Sequence, residues 1–349
     1  MGGSLNILVT GAGAPGFPGI VKALRTNGER KVRIVATDAK PDVVGFYLAE
    51  KHYKVPMGND KGYVKAILEI AEKEGIDVVL PLCTLELLPL AKNRKVFEEK
   101  GVKIVVSDEK PLETALNKAA LFDFFKDKYS PRFFKVRNLR AFERGCEKLG
   151  YPDKPVVFKP AVSYGSRGFR IIMKSNKVER FFKEKPSSLY AEYDEIVKIL
   201  SQSPFPESLV VEYLPGEEYS VDLLVGKDVI YSIPRKRVVI KQGISNVGII
   251  EKNEELINIS SDIARKLKLK FNINMQFRQD ENRKFKLIEI NPRVSGSIIF
   301  CVGAGVNLPY YGVKLVLGEK ITKTDIRWNT RIYRYWNEIF VYNDKKYNY

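Results

Sequence analysis

Asn272-Ile273-Asn274-Met275-Gln276-Phe277, a polar break at Asp280–Arg283, then Phe285-Lys286-Leu287-Ile288-Glu289-Ile290-Asn291-Pro292-Arg293: this stretch decides how the chain is read. In its first half Ile273, Met275 and Phe277 alternate with Asn272, Asn274, Gln276 and Arg278. In its second half Phe285, Leu287, Glu289 and Asn291 alternate with Lys286, Ile288 and Ile290. Period-two alternation sends successive side chains to opposite faces, so the stretch predicts two strands. Asp280–Arg283 supplies Asp and Asn, the residues that form turns. A turn of even length would set Gln276 on the face of Glu289 and Asn291. Pro292 ends the ladder because it has no N–H to give, and Arg293 follows at once.

Oxygen ligands at positions i and i+2, with a third across a hairpin, suit a hard cation. Mg²⁺ prefers octahedral oxygen and binds through one or two carboxylates together with substrate phosphates. The competing reading is an ordinary polar sheet face. A carboxylate in so apolar a strand, followed by Asn-Pro-Arg, favours a site.

The whole chain sets bounds. Its 349 residues suit two or three domains, and 44% hydrophobic with 29% charged residues is a globular composition. No run reaches the roughly 18 apolar residues of a membrane span. The N-terminus has no signal-peptide pattern, so a cytoplasmic location is expected. Cys83, Cys146 and Cys301 are scattered, without a Cys-x-x-Cys, and indicate neither a disulfide framework nor a zinc site. The single histidine, His52, excludes histidine-rich metal sites and reads as structural. Chemistry must therefore run on carboxylates, Lys, Arg and amides. The net charge of +17 has no basic block with interleaved aromatics, so it predicts a solvated surface or small polyanionic ligands rather than nucleic acid.

Leu5–Thr10 reads as a strand running into Gly11-Ala-Gly13-Ala-Pro-Gly16 and a helix to about Arg25. Val32–Thr37, Val78–Pro81 and Val102–Val106 read as further strands, with helices over 61–74 and near 86–100. That alternation predicts a parallel, doubly wound sheet over the first 110 residues or so. Gly11, Gly13 and Gly16, with Asp38 beyond, also match the dinucleotide fingerprint, which makes a nicotinamide-dependent oxidoreductase the main rival. Pro155–Lys159 and Phe169–Met173 flank Ser163-Tyr-Gly165-Ser166-Arg-Gly168, a hairpin whose tip can fold over phosphates beside Lys159. Residues 174–208 read as helices and a loop, without chemistry. Leu209–Tyr213 is a strand that offers backbone groups to a purine edge. Val221–Val225 and Val229–Ile233 form a hairpin, followed by Pro234-Arg235-Lys236-Arg237 and a glycine-containing loop. An amphipathic helix covers 253–268; the tail from Thr322 to Tyr349 is aromatic and basic, and within it Arg334-Tyr-Trp-Asn-Glu-Ile-Phe-Val341 reads as a packed strand or short helix.

Taken in order, Asn117-Lys118, Phe158-Lys159-Pro160, Gly165-Ser-Arg-Gly168, Glu212-Tyr-Leu, Gly216-Glu-Glu-Tyr-Ser-Val-Asp222, Asn274-Met-Gln276 and Glu289-Ile-Asn-Pro-Arg293 resemble the ATP-grasp superfamily, in its carbamoyl-phosphate-synthase-large-chain-like branch. The resemblance covers about residues 5–318. It implies α/β and α+β architecture: a Rossmann-like pre-ATP-grasp domain over 1–112, a lid subdomain with a basic insertion over 113–208, and a C-terminal α+β subdomain over 209–349 with the metal site and aromatic tail. ATP would be clamped between lid and body. The resemblance further implies a cofactor-binding set of Lys118, Lys159, Ser163, Gly165, Ser166, Gly168, Glu212, Tyr213, Leu214, Glu218 and Ile288. The two lysines would meet the α and β phosphates, Glu212 and Leu214 would hold adenine through backbone, and Glu218 would bind ribose. Gln276, Glu289 and Asn291 would hold Mg²⁺ or Mn²⁺, as two ions. Arg293, Arg237 and Arg235 would be catalytic, Arg293 on the transferring phosphoryl group and the other two on substrate or phosphate.

The reaction implied is ATP-dependent activation of a carboxylate as an acyl phosphate, then amide formation with an amine. Such phosphoryl transfer needs positioning and charge neutralisation more than a protein nucleophile. This chain has one such unit, no Cys/His pair for a glutaminase, and Gly296 where synthases carry Arg. A stand-alone carboxylate–amine ligase is therefore expected, with a carbamoyl-phosphate-synthase-type subunit as the alternative. Small-molecule acid and amine are the expected partners, with no membrane or nucleic acid and a possible homodimer.

Overall fold

The computed structural model describes residues 3–126, 128–163, 165, 167–174, 182, 189–241, 243–343 and 345–347. The chain packs as two compact units. The first takes Met1–Glu113, Tyr219–Gln276 and Ile290–Tyr349; the second takes Thr114–Glu218 and Phe277–Glu289.

The first unit opens with a parallel sheet of β1 Leu5–Thr10, β2 Val32–Asp38, β3 Lys51–Lys54, β4 Val78–Leu80 and β5 Lys103–Ile104, in the order β3-β2-β1-β4-β5. Ile7, Leu8, Val9 and Ile34, Val35, Ala36 are all fully buried, as strands covered on both faces require. The helix expected near 86–100 is two helices, Thr84–Lys92 and Arg94–Glu99. Asn93 makes the break: its side-chain amide donates to the Pro89 carbonyl at 2.9 Å, a local bond that competes with the helical ladder.

The second unit holds β6 Phe133–Val136, β7 Val156–Pro160, β8 Arg170–Ile172, β9 Tyr190–Ala191 and β10 Ser208–Glu212, in the order β6-β10-β7-β8-β9. The helix Leu139–Lys148 covers this sheet with Phe142 and Cys146, which pack with Val136, Phe158 and Val210.

A third sheet joins β11 Glu218–Val225, β12 Val229–Lys241, β13 Ile244–Ile250, β14 Phe271–Gln279, β15 Phe285–Asn291 and β16 Arg331–Tyr333, in the order β15-β14-β11-β12-β13-β16. The division between units falls after Glu218, Gln276 and Glu289, within β11, β14 and β15. Leu224, Ile233, Ile250, Phe300 and Val306 share one hydrophobic cluster with Ile7, Phe17 and Leu24. The N-terminal segment and most of the C-terminal one, set apart in the sequence, thus have a common core.

Two expectations need correction. The strand starting at Val229 does not stop before Pro234 but runs on to Lys241. Pro234 has no N–H, yet its carbonyl accepts from the Glu251 N–H at 3.1 Å and it stays opposite Val221 in the ladder. Arg235 and Arg237 therefore sit on a strand, two apart, and not in a loop. The tail is not packed throughout: Arg331–Tyr333 joins the sheet beside β13, but Tyr335 and Trp336 are 86% and 88% exposed. Beyond them β17 Phe340–Tyr342 and β18 Lys345–Tyr347, among the described residues, pair only with each other.

Candidate active site

The second unit concentrates two buried cations. Asn117 caps the helix Lys118–Phe124, its Oδ1 accepting from the Ala119 and Ala120 N–H groups at 2.9 and 3.2 Å. The cap fixes Lys118 at the first helical position. Its Nζ donates to the Ser163 carbonyl at 3.2 Å and to Ser163 Oγ at 3.3 Å. Lys159, on β7, is only 4% exposed. Its Nζ lies 4.7 Å from the centre of the Phe122 ring and donates to the Ile288 carbonyl at 3.3 Å. Burial, and next the charge of Lys118, push the Lys159 ammonium down to about 7, against the pull of Glu289. Burial lowers Lys118 too, again opposed by Glu289. Among the described residues neither lysine forms an ion pair. Two cations crowded at low solvation, with one carboxylate acting on both, favour binding of an anion.

The loop between β7 and β8 follows directly. Phe158 pairs with Arg170, so the hairpin reading holds. Gly165 and Gly168 have φ of +61° and +74°, and a Cβ on Gly168 would come within 2.6 Å of Pro160 Cγ. Only glycine fits there without displacing the loop. Ser163 meets Lys118 as above; Ser166 lies outside the described residues.

The purine-edge candidates are braced by their own unit. Glu212 ends β10; its N–H donates to the Arg132 carbonyl at 3.0 Å, and its carboxylate accepts from Arg132 N and Nε at 2.8 Å each. Arg278 lies over the Tyr213 ring at 5.5 Å, donates to the Gly216 carbonyl at 3.1 Å and pairs with Glu218 at 3.8 Å. The sequence reading gave Arg278 no role, although alternation with Gln276 on one strand was the available signal. Leu214 is buried. A groove of about 440 Å³ runs beside Glu212, Tyr213, Pro215, Lys154 and Lys286.

The metal candidates are strand-borne. Glu289 and Asn291 stand two apart on β15, both half-buried, and Gln276 is half-buried on β14. The loop joining the strands has five residues, not four: the Asp280 N–H donates to the Lys284 carbonyl, and Asp280 Oδ1 accepts from the Asn282 and Lys284 N–H groups. Strict alternation across an odd loop would put Gln276 and Glu289 on opposite faces. The burial pattern of β15 changes phase there, with Ile288 and Glu289 half-buried in succession. In the first unit Arg237 Nη1 donates to Gln276 Oε1, and Arg293 Nη2 to Asn291 Oδ1, each at 3.3 Å. Those long contacts leave the amide oxygens on acceptor duty, as cation ligands must be.

Arg235 is the largest fully buried side chain of the protein's described residues. Its Nη1 donates to Ser245 Oγ at 2.7 Å and its Nη2 to Asp222 Oδ2 at 3.3 Å. Asp222 Oδ1 accepts from Asn274 Nδ2 at 2.8 Å, and Arg237 Nε donates to Ser245 Oγ at 3.1 Å. Asp222, Ser245 and Asn274 had no assigned role in the sequence reading. Arg293 Nε reaches Thr84 Oγ1 at 3.5 Å. Thiol chemistry has no foothold, because burial pushes Cys146 up to about 12 and raises Cys83 and Cys301 strongly.

The glycine turn of the first unit is engaged by its own chain. Gly13 N–H donates to Asp38 Oδ2 at 2.8 Å, and Asp38 Oδ1 accepts from Lys40 N–H at 2.9 Å. A Cβ on Gly16 would come within 2.7 Å of Gly296 Cα. The acid that a dinucleotide fingerprint reserves for ribose here ties down the turn, and the third glycine admits a backbone. This arrangement gives no support to the nicotinamide reading.

Residues 204–337 match the family model described as "ATP-grasp in the biosynthetic pathway with Ter operon", and residues 7–119 match "PylC-like, N-terminal domain". The chain carries an ATP-grasp domain behind a PylC-like N-terminal domain. It is similar to the carbamoyl phosphate synthase arginine-specific large chain of Halalkalibacterium halodurans, 22% identical over 318 residues, 86% of this chain and 28% of that one. It is similar also to the formate-dependent phosphoribosylglycinamide formyltransferase of Methanocella arvoryzae, 26% identical over 180 residues, 51% and 39% of the two chains. The chain thus spans well under half the length of these relatives. Two solved structures share the fold. One is the biotin carboxylase domain dimer of Hydrogenobacter thermophilus 2-oxoglutarate carboxylase with MgADP, ADP and bicarbonate, with TM-score 0.67, 19% identity, and coverage of 93% of this chain and 73% of that one. The other is the N5-carboxyaminoimidazole synthetase of Staphylococcus aureus with ADP, with TM-score 0.68, 16% identity, and coverage of 93% and 80%. No described helix is long and apolar enough to cross a membrane.

Proposed function

We propose that the protein is an ATP- and Mg²⁺-dependent ligase that activates a substrate carboxylate as an acyl phosphate and joins it to an amine, releasing ADP and phosphate. The observation that carries this reading is the pair of buried lysines, Lys118 and Lys159, held at a glycine hairpin without an ion-pair partner among the described residues. A polyphosphate satisfies both at once. The hairpin residues Ser163, Gly165, Ser166 and Gly168 would cover the phosphates. Glu212, Tyr213, Leu214 and Ile288 would border the base, and Glu218 would reach ribose.

Gln276, Glu289 and Asn291 would hold Mg²⁺, as two ions. The donor set fits: hard oxygens, one carboxylate and two amides, the amides already presenting oxygen to cations. When bound there, the metal would neutralise charge on the phosphates. With a single carboxylate, these residues bind it weakly unless nucleotide phosphates complete the shell. Arg293, backed by Thr84, would stabilise the phosphoryl group in flight, while Arg237 and Arg235 supply fixed positive charge for substrate. The chain's role is orientation and neutralisation; the nucleophiles are the substrate carboxylate and then the amine.

The carbamoyl-phosphate-synthase alternative keeps the same ATP chemistry and differs in the acid and amine. The test is a screen of carboxylates with amines for ADP and phosphate release under ATP and Mg²⁺. Release that needs both an acid and an amine supports the reading; ATP binding with no release for any pair would overturn it.

A further inference from the structure

Around Arg235, the first unit holds Phe300, Arg334, Ser295 and Gly296, which have no part in the chemistry above. Phe300, from the helix Ile299–Gly303, is fully buried and packs on β13, where a Cβ on Gly248 would come within 2.8 Å of its ring. Two guanidinium groups lie over that ring: Arg235 at 4.9 Å and Arg334 at 5.9 Å from its centre. Arg235 is fixed by Asp222 and Ser245, but its Nε is buried without an acceptor. Arg334 continues past β16, its N–H donating to the Asn246 carbonyl at 2.9 Å. Its Nη2 donates to the Gly296 carbonyl at 2.5 Å, and among the described residues no carboxylate pairs with it. Burial, and then the charge of Arg235, weaken its hold on its proton.

The neighbouring segment is also incomplete. Ser295 Oγ is buried and has no hydrogen-bond partner among the described residues. A Cβ on Gly296 would meet nothing within 4 Å, whereas Gly16 and Gly248 are both tightly contacted. The cluster therefore combines two arginines with one carboxylate, two orphaned donors and open space. Surplus buried positive charge is costly unless an anion compensates it. A guanidinium fork matches the two oxygens of a carboxylate, and the Phe300 ring supplies an apolar wall.

We propose that Arg334 and Arg235, set over Phe300 beside Ser295 and Gly296, form the subsite for the carboxylate of the acid substrate, with Arg334 as the residue that grips it. This rests on the ligase reading. Arg235, anchored by Asp222, holds the local potential positive. Arg334 keeps N–H groups beyond the one spent on Gly296, and these meet the acid. Gly296 leaves the acid room.

The test is calorimetric titration of the full chain with sodium succinate, inorganic phosphate and sodium chloride at matched ionic strength, with MgATP titrated separately. Wild type should bind succinate well ahead of chloride. Arg334→Ala and Gly296→Val should each weaken succinate at least tenfold, and Arg334→Lys should fall between. The Cβ of Gly296→Val projects into open space, and circular dichroism checks that the fold is kept. MgATP affinity should be the same in all. Succinate binding that is equal in the variants and wild type, or no better than chloride, would overturn the subsite, as would an Arg334 effect confined to phosphate. Succinate bound through Arg334 in a protein that does not bind MgATP would retain the subsite and refute the ligase reading.

Discussion

Replacing Lys159 by methionine separates the cost of its burial from its use. The displacement from the ordinary 10.5 to about 7 represents on the order of 5 kcal/mol of disfavoured charge, at about 1.4 kcal/mol per pH unit. The side chain is only 4% exposed, so solvent screens little of it. The sign follows from proton counting. Between about 7 and 10.5 the unfolded chain holds a proton on this lysine that the folded chain has lost. Stability therefore rises with pH across that window, and the full penalty applies below it. Lys159→Met should raise apo stability near neutral pH by a few kcal/mol and remove this alkaline rise, read as denaturant midpoints against pH. Bound nucleotide reverses the balance, because phosphates favour the ammonium. With the free-protein ammonium lowered to about 7, MgATP binding should draw in part of a proton at pH 7 and a larger part at pH 8. Calorimetry in buffers of different ionisation enthalpy measures this uptake directly. Proton uptake that survives unchanged in Lys159→Met, or its absence from the wild type, would refute the argument that the buried lysine waits for phosphate.

Glu289→Gln should leave circular dichroism and thermal midpoint near wild type but cut acid-dependent ADP release by at least about a hundredfold, since a neutral amide is a poorer ligand for a doubly charged ion; full turnover would remove Glu289 from the metal set. Gly168→Ala forces a side chain into φ +74° and against Pro160, so turnover should fall, with a stability loss of about 1 kcal/mol in chemical denaturation. Gly312→Ala would put a methyl 1.9 Å from Asn272 Oδ1 in the core; it should lower the thermal midpoint by several degrees, and an unaltered midpoint would mean that the helix shifts freely. Gly13→Val should change nothing in NADH fluorescence, because wild type should not quench it either, Asp38 being committed to the turn.

Local chemistry made much of this fold legible. The parallel strands announce themselves as apolar runs, whereas Asn117, read as part of a helix with Lys118, is its cap. The hairpin around Gly165 and Gly168 follows from strands that flank glycines. What escaped the reading depends on pairing partners far along the chain. Pro234 reads as a strand end, yet its carbonyl is held by Glu251, a contact invisible from Pro234's neighbours. The five-residue loop depends on Asp280 capping Lys284, which gives the turn one residue more than the sequence pattern assigns. Glu212 looks free to serve a ligand until Arg132, eighty residues earlier, takes both its N–H and its carboxylate. Arg334 belongs to a tail that reads as generic packing, and its meaning appears only once Gly296 and Phe300 stand beside it.

The approach of Gly16 to Gly296 limits how this protein can vary. The atoms that a Gly16 side chain would strike are the Cα, C and O of residue 296, main chain that every amino acid possesses. A clash introduced at 16 thus has no second-site suppressor at 296, because nothing there can be trimmed. Residue 296 itself can grow outward at little structural cost. One side of the contact is frozen while the other is free to diversify, so altered acid preference among descendants should accumulate at position 296 and spare position 16.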